Sequence, residues 1–286
     1  MISYEKTKKC VNAYSLFMKG EILTMEKEGT ILSKWRYPSP NSNISLTIVT
    51  YYSQGLRVKG LLAEPKRAAV YEGFLYLRGG IRNVGKVRAA RICQFAAEGF
   101  IVFAPFYRGN QGGEGSEDFG GEDRHDAFAA YSVLKNHPQV KNIHIFGFSR
   151  GGVMALQTAI QFPEAVSLVT WGGVSDMELT YYEREDLRRM MKRVIGGTPS
   201  KYPERYRYRT PLYQLNRLQS PVLIIHGCQD TNVSVEHAFR LQQRLNEYQK
   251  PVTCWYFKEF THYFPPLINR QIVKDLTNWM KNQSNK

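Results

Sequence analysis

No stretch of this chain is apolar over the roughly 20 residues needed to cross a bilayer, which argues against a membrane-spanning protein. The first 20 residues, MISYEKTKKCVNAYSLFMKG, carry lysines but no continuous apolar stretch and no small-residue cleavage site. They do not read as a secretory signal, and the expected location is the cytoplasm. Cysteine is scarce: Cys10, Cys93, Cys228 and Cys254 are scattered and form no C-x-x-C pair, so a disulfide framework is excluded and reduced, structural thiols are expected. Histidine and cysteine never fall at metal-ligand spacing, and no Gly-rich phosphate loop follows the first strand. No metal and no cofactor are expected. Low-complexity segments and internal repeats are absent as well.

Acidic residues are outnumbered, 25 Asp and Glu against 39 Lys and Arg, for a formal charge of +14. Such an excess raises the question of nucleic acid, because clustered cations give phosphate affinity. The cations are spread along the chain, however, and no nucleic-acid motif accompanies them. The densest cluster, within residues 183–209, has helix-like spacing and reads as a solvated face. Neither a nucleic-acid nor a membrane partner is expected; self-association stays open.

What is present is an alternation. Residues 1–40 are mixed, with a short helix and a turn at Tyr37-Pro38-Ser39-Pro40 as the expectation, and residues 1–43 are taken as an N-terminal extension. ISLTIVTYYSQGLRVKGLLAEP, from residue 44, is β-branched and aromatic around a turn at Gln54-Gly55 and predicts a hairpin. The short apolar runs GFLYL (73–77), FIVFAP (100–105), IHIFGF (143–148), SLVTWGG (167–173), PVLIIHG (221–227) and VTCWYF (252–257) predict strands. Helices are predicted at 84–98, 122–137, 151–162, 234–249 and 266–282. Strands alternating with helices imply an α/β fold with a mostly parallel sheet covered on both faces. Residues 175–219 interrupt the rhythm with a charged amphipathic segment, and a lid-like insertion over the strand ends is expected. Residues 44–286 thus read as one α/β domain.

Gly147-Phe148-Ser149-Arg150-Gly151 fits G-x-S-x-G between a strand and a helix. That spacing suits a nucleophile on a sharp turn, its hydroxyl pushed out above the sheet and a helix N-terminus behind it. A serine needs a general base. His125, His137 and His144 precede it, whereas this architecture runs Ser…Asp/Glu…His. His226 ends a strand and reads as loop support, and His237 falls inside a helix. His262, in the loop between the last strand and the last helix, is the candidate base. Asp230, three residues beyond PVLIIHG, is the candidate acid, with Asp176 as competitor.

Several segments together resemble the catalytic domain of the prolyl oligopeptidase family, its acylaminoacyl-peptidase branch especially. FYRGNQGGEGSEDFGGEDRHDAFAAYSVL is similar to that family's stretch before the nucleophile strand, and GFSRGG to its elbow. TPLYQLNRLQSPVLIIHGCQDTNVSVEHAFRL resembles its acid-bearing region and FTHYFP its histidine loop, so that the likeness spans roughly residues 45–282. The resemblance implies an α/β-hydrolase fold, with Ser149 as nucleophile, Asp230 as orienting acid and His262 as base. It also implies an oxyanion hole formed by the N–H of Arg150 and a turn N–H at Gly80. Family members usually carry His or Tyr where this chain has Arg78. That guanidinium could bind a substrate carboxylate or be salt-bridged to a nearby acid. No β-propeller of the kind many members carry fits ahead of the hairpin. The expected function is therefore a serine hydrolase working through an acyl-enzyme, as a peptidase on short peptides. A carboxylesterase on small esters and a non-catalytic binder of the same fold are the competing readings.

Overall fold

The computed structural model describes residues 26–285. Its centre is a nine-stranded sheet in the order β1-β2-β3-β5-β4-β6-β7-β8-β9. An antiparallel meander of β1 (Ile31–Tyr37), β2 (Ile44–Ser53) and β3 (Leu56–Pro65) leads into it, and β3 runs antiparallel to β5 (Phe100–Pro105). From β5 onward every pairing is parallel, through β4 (Tyr71–Leu77), β6 (Val140–Phe148), β7 (Ser167–Trp171), β8 (Val222–Gly227) and β9 (Val252–Phe257). Every residue of β5, β7 and β8 is buried, which is why these strands read as unbroken apolar runs rather than as alternating ones.

Two of the sequence expectations need correction. β1 lies ahead of the expected hairpin and pairs with β2, so the sheet takes in part of the segment read as an N-terminal extension. A helix ahead of residue 26 would lie outside the described residues. The first crossover helix, α1 (Ala89–Ala97), starts five residues later than its apolar spacing suggested, because 82–88 form a loop.

Helices cover both faces. α1 and α8 (Pro266–Ser284) close one side, where Phe95 stacks on Phe74 at 4.4 Å and Ile272, Val273, Leu276 and Met280 line one stripe of α8. α2 (Arg124–Lys135), α3 (Gly151–Gln161) and α7 (Glu236–Glu247) close the other.

The insertion at 175–219 folds into α4 (Met177–Glu183), α5 (Glu185–Met191) and α6 (Pro203–Arg209) with a core of its own. Met177, Tyr181, Met191, Ile195 and Tyr206 pack with Val153 of α3 and with Val174 and Val233. Polar ties fix it further: Arg209 pairs with Asp118 at 2.7 Å, and the Arg124 guanidinium lies 3.8 Å from the centre of the Tyr208 ring. Apolar and polar contacts together pack the insertion on the body of the domain.

The strand order reverses at β4: β5 lies on one side of it and β6 on the other. Open α/β sheets form their ligand crevice at such a reversal, beyond the carboxyl ends of the strands. The loops leaving β4 and β6 begin at Arg78 and Ser149.

Candidate active site

Ser149 sits between β6 and α3 with φ of 56°, a left-handed conformation that a non-glycine residue adopts only when its surroundings enforce it. They do: its N–H donates to Trp171 O at 3.1 Å, and its carbonyl accepts from Gly152 and Val174 at 2.8 and 2.9 Å. Side chains at Gly147 or Gly151 would collide with neighbouring backbone, which accounts for the glycines flanking the serine.

Two close approaches locate the rest of the site. A Cβ on Gly79, just past β4, would lie 3.1 Å from Ser149 Oγ. A Cβ on Gly172, just past β7 and at φ of 50°, would lie 3.1 Å from His262 Nδ1 and 3.2 Å from Asp230 Oδ2. The serine therefore sits against the end of β4, and the histidine and the aspartate against the end of β7. His262 also packs its ring on Phe148, the residue before the serine, with centroids 4.7 Å apart.

Asp230 and His262 are both buried, and His262 Nδ1 lies 2.6 Å from Asp230 Oδ2. The other carboxylate oxygen accepts from Asn232 N at 2.8 Å and Val233 N at 3.0 Å, which fixes the acid's orientation. A carboxylate on Nδ1 holds the proton there and leaves Nε2 as the basic nitrogen. Ser149 Oγ has no hydrogen-bond partner among the described residues; such bonds are commonly long in substrate-free sites and tighten on binding.

The competing residues are committed elsewhere. Asp176 caps α4, accepting from Glu178 N and Leu179 N, and pairs with Arg240. His226 donates from Nε2 to Val233 O at 2.9 Å, and burial pushes its pKa down, so it braces the acid loop as a neutral ring. His237 meets Glu183 at 3.0 Å and ties α7 to the insertion.

The N–H groups of Gly80 and Arg150 are given to no partner among the described residues, and both belong to the loops that meet at Ser149. Arg78 is different. It is 2% exposed, and its guanidinium donates to Phe106 O at 2.8 Å, Gly79 O at 2.9 Å, Val84 O at 3.4 Å and Glu117 Oε1 at 2.9 Å. All five N–H bonds are engaged, the salt-bridged alternative, and none is left for a substrate carboxylate. Glu117 and Asp123, which sequence reasoning passed over, pair with Arg150 at 2.7 and 3.0 Å. Their signal was in the acidic run before the elbow, but nothing local to it names the partners. Among the described residues no cluster of His, Cys, Asp or Glu could hold a metal.

Known proteins resemble this chain in sequence and in fold. Residues 86–286 match the model of the prolyl oligopeptidase family. The uncharacterized peptidase YtmA of Bacillus subtilis (strain 168) is 62% identical over 256 residues, 88% of this chain and all of that one. Among solved structures, Pyrococcus horikoshii acylaminoacyl peptidase superposes with a TM-score of 0.74 at 21% identity over 85% of this chain. This chain spans only 42% of that protein's length. Acetyl xylan esterase 1 from Thermoanaerobacterium sp. superposes with a TM-score of 0.68 at 13% identity, over 86% of this chain and 87% of its own. At such identities the structures speak for the fold alone. The family match and the close relative carry more, and this chain belongs to the prolyl oligopeptidase family of serine hydrolases.

Proposed function

We propose that this protein is a serine peptidase acting on short peptides, with Ser149, His262 and Asp230 as its catalytic residues. The observation that carries the reading is the left-handed Ser149 at the sheet's switch point, beside a buried His262–Asp230 pair 2.6 Å apart. His262 Nε2 takes the hydroxyl proton as Oγ attacks the scissile carbonyl carbon. The resulting oxyanion meets the N–H groups of Arg150 and Gly80, each such donor worth about 3–4 kcal/mol of barrier. Collapse breaks the C–N bond, and His262 returns the proton to the leaving amine. Water then hydrolyses the acyl-enzyme by the same proton route.

The insertion at 175–219 forms one wall of the cleft in this reading, and its packing on α3 suits a fixed rather than a swinging cover. Cys93, Cys228 and Cys254 are free thiols, in keeping with a reducing cytoplasm. No helix among the described residues is long and apolar enough to cross a membrane. Carboxylesterase activity on small esters is the second reading, since the same acyl-enzyme route serves an ester carbonyl.

Labelling with a fluorophosphonate probe tests the core of the proposal. Wild type should label and Ser149→Ala should not. On the same samples, aminoacyl p-nitroanilides should be hydrolysed with higher kcat/KM than p-nitrophenyl esters, relative to each substrate's spontaneous rate. Unlabelled, well-folded wild type would move a non-catalytic binding role to the front, and an ester preference would select the esterase.

A further inference from the structure

Outside the proposed triad, one buried carboxylate touches both segments that carry the candidate oxyanion donors. The Glu117 side chain is 1% exposed. Its Oε1 accepts from Arg78 Nη2 at 2.9 Å and from Arg150 Nη2 at 2.7 Å. Its Oε2 accepts the backbone N–H of Arg82. Arg78 and Arg82 bracket Gly80, and Arg78 also clasps the loop's own carbonyls at Gly79 and Val84. Arg150 is the residue after the nucleophile.

We propose that Glu117 is a positioning residue for the oxyanion site, a clamp that fixes the Gly80 loop against the nucleophile elbow. The inference rests on the acyl-transfer reading above. Asp123 does not share the role: apart from Arg150, it holds the backbone of its own segment through Asp118 N and Gly120 N. The Arg150 guanidinium has little freedom to move otherwise, lying 4.9 Å from the centre of the Tyr107 ring and 5.3 Å from that of Phe119. One carboxylate thus sets the separation of two N–H groups that must converge on one oxygen.

Charge and geometry make opposite forecasts, and this separates them. Arg78 and Arg150 together balance Glu117 and Asp123. Neutralising Glu117 leaves an unbalanced positive charge near the developing oxyanion, which by itself would favour the transition state. Loosening the loop would displace the donors and disfavour it. The clamp acts mainly on the transition state, so its loss belongs in kcat rather than KM.

The test uses the full-length chain, once wild type has been shown to label at Ser149. Glu117→Gln, Glu117→Asp and the double variant Glu117→Gln/Arg78→Met are compared for kcat, KM and the second-order rate of fluorophosphonate labelling. Glu117→Gln should lose about 30- to 100-fold in kcat, as expected when catalytic groups shift by about 1 Å. Its KM should stay within about threefold of wild type and its labelling rate should fall in parallel. Glu117→Asp keeps the charge but shortens the reach by one methylene. It should still lose about tenfold in kcat, which keeps the proposal testable where the Gln variant does not fold. The double variant restores charge balance without the clamp and should not recover. Wild-type kcat in either folded single variant, a loss confined to KM, or recovery in the double variant would overturn the clamp while leaving the Ser149 reading intact. Wild type that does not label at all overturns both.

Discussion

Two arginine-rich regions of this molecule use their cations in opposite ways. In the insertion, Arg189, Lys192, Arg193, Lys201, Arg205 and Arg207 are exposed, and the pair that Arg205 makes with Glu204, at 3.8 Å, is long and open to solvent. Around the switch point, Arg78, Arg108 and Arg150 are buried, each bonded to a carboxylate at 2.9 Å or less. Exposed pairs contribute about 0–1 kcal/mol, since water screens them and ordering two long side chains costs entropy. A buried charge stripped of its partner costs far more, because it keeps its desolvation penalty and loses its compensation. Net charge therefore says little about this protein; what matters is which guanidinium groups are enclosed with their acids. Arg209 shows this within the insertion itself, being buried on Asp118 at the end of a segment that otherwise reads correctly as a solvated face.

The sharpest way to break the contrast is Arg150→Met. The substitution keeps an unbranched side chain between Tyr107 and Phe119 but leaves the buried Asp123 and Glu117 carboxylates with one cation, Arg78, between them. Loss of one partner from a buried pair should cost about 3–5 kcal/mol of stability, read by urea denaturation. Arg108→Met comes next. Arg108 bonds Asp126 through its backbone N at 2.7 Å as well as through its guanidinium, so the acid keeps one donor here and another from Ser53. A loss of about 2–3 kcal/mol is expected for that reason. A change below 1 kcal/mol in both would mean that these buried pairs are no tighter than surface ones.

The same distinction explains what the sequence could and could not disclose. Fully buried strands such as FIVFAP announce themselves because every position is apolar, and G-x-S-x-G does so because the elbow's sterics act within five residues. Asp230 and His262 were legible through chain order and their positions just past two strands. β1 was not: its residues ILSKWRY are mostly exposed, so no core-facing pattern marks them, and the strand exists through pairing with β2. Nor was the start of α1, whose apolar spacing runs on into a loop that Glu117 holds at Arg82. The role of Arg78 depends on Glu117, 39 residues along the chain, and no local rule joins the two.

An intermediate case sharpens the comparison. Glu72 is buried, while its partner Lys141, 2.9 Å away, is half exposed; His144 lies 3.5 Å off on the other side. Burial alone would raise the Glu72 pKa, but His144 and Lys141 outweigh it and bring it from 4.5 to about 2. A carboxyl depressed in the folded state contributes stability that is complete above its unfolded value and is lost as pH falls through its folded one. Glu72→Gln should therefore cost about 1–2 kcal/mol at pH 7, between the buried and exposed extremes. The gap from wild type should close between pH 4.5 and about 2 in acid-denaturation curves. A gap that persists unchanged at pH 2 would show that shape rather than charge holds this residue.

The smallest effect is expected on the insertion's outer face. Lys192 and Arg193 lie in the π-helical turn that follows α5, exposed, while Ile195 in the same turn faces the insertion's core. Replacing both with Gln removes two positive charges from a molecule of formal charge +14 without touching a buried group. Surface changes of this kind stay within about 0.5 kcal/mol, so the denaturation midpoint and the kcat for a neutral substrate should be those of wild type. What should change is salt sensitivity toward a negatively charged substrate. Exposed charges act on encounter, so kcat/KM for a succinylated substrate should decline less steeply with ionic strength in the double Gln variant than in wild type. A stability loss above about 1 kcal/mol would instead place these two cations in the same class as Arg209, and the exposed half of the comparison would have to be redrawn.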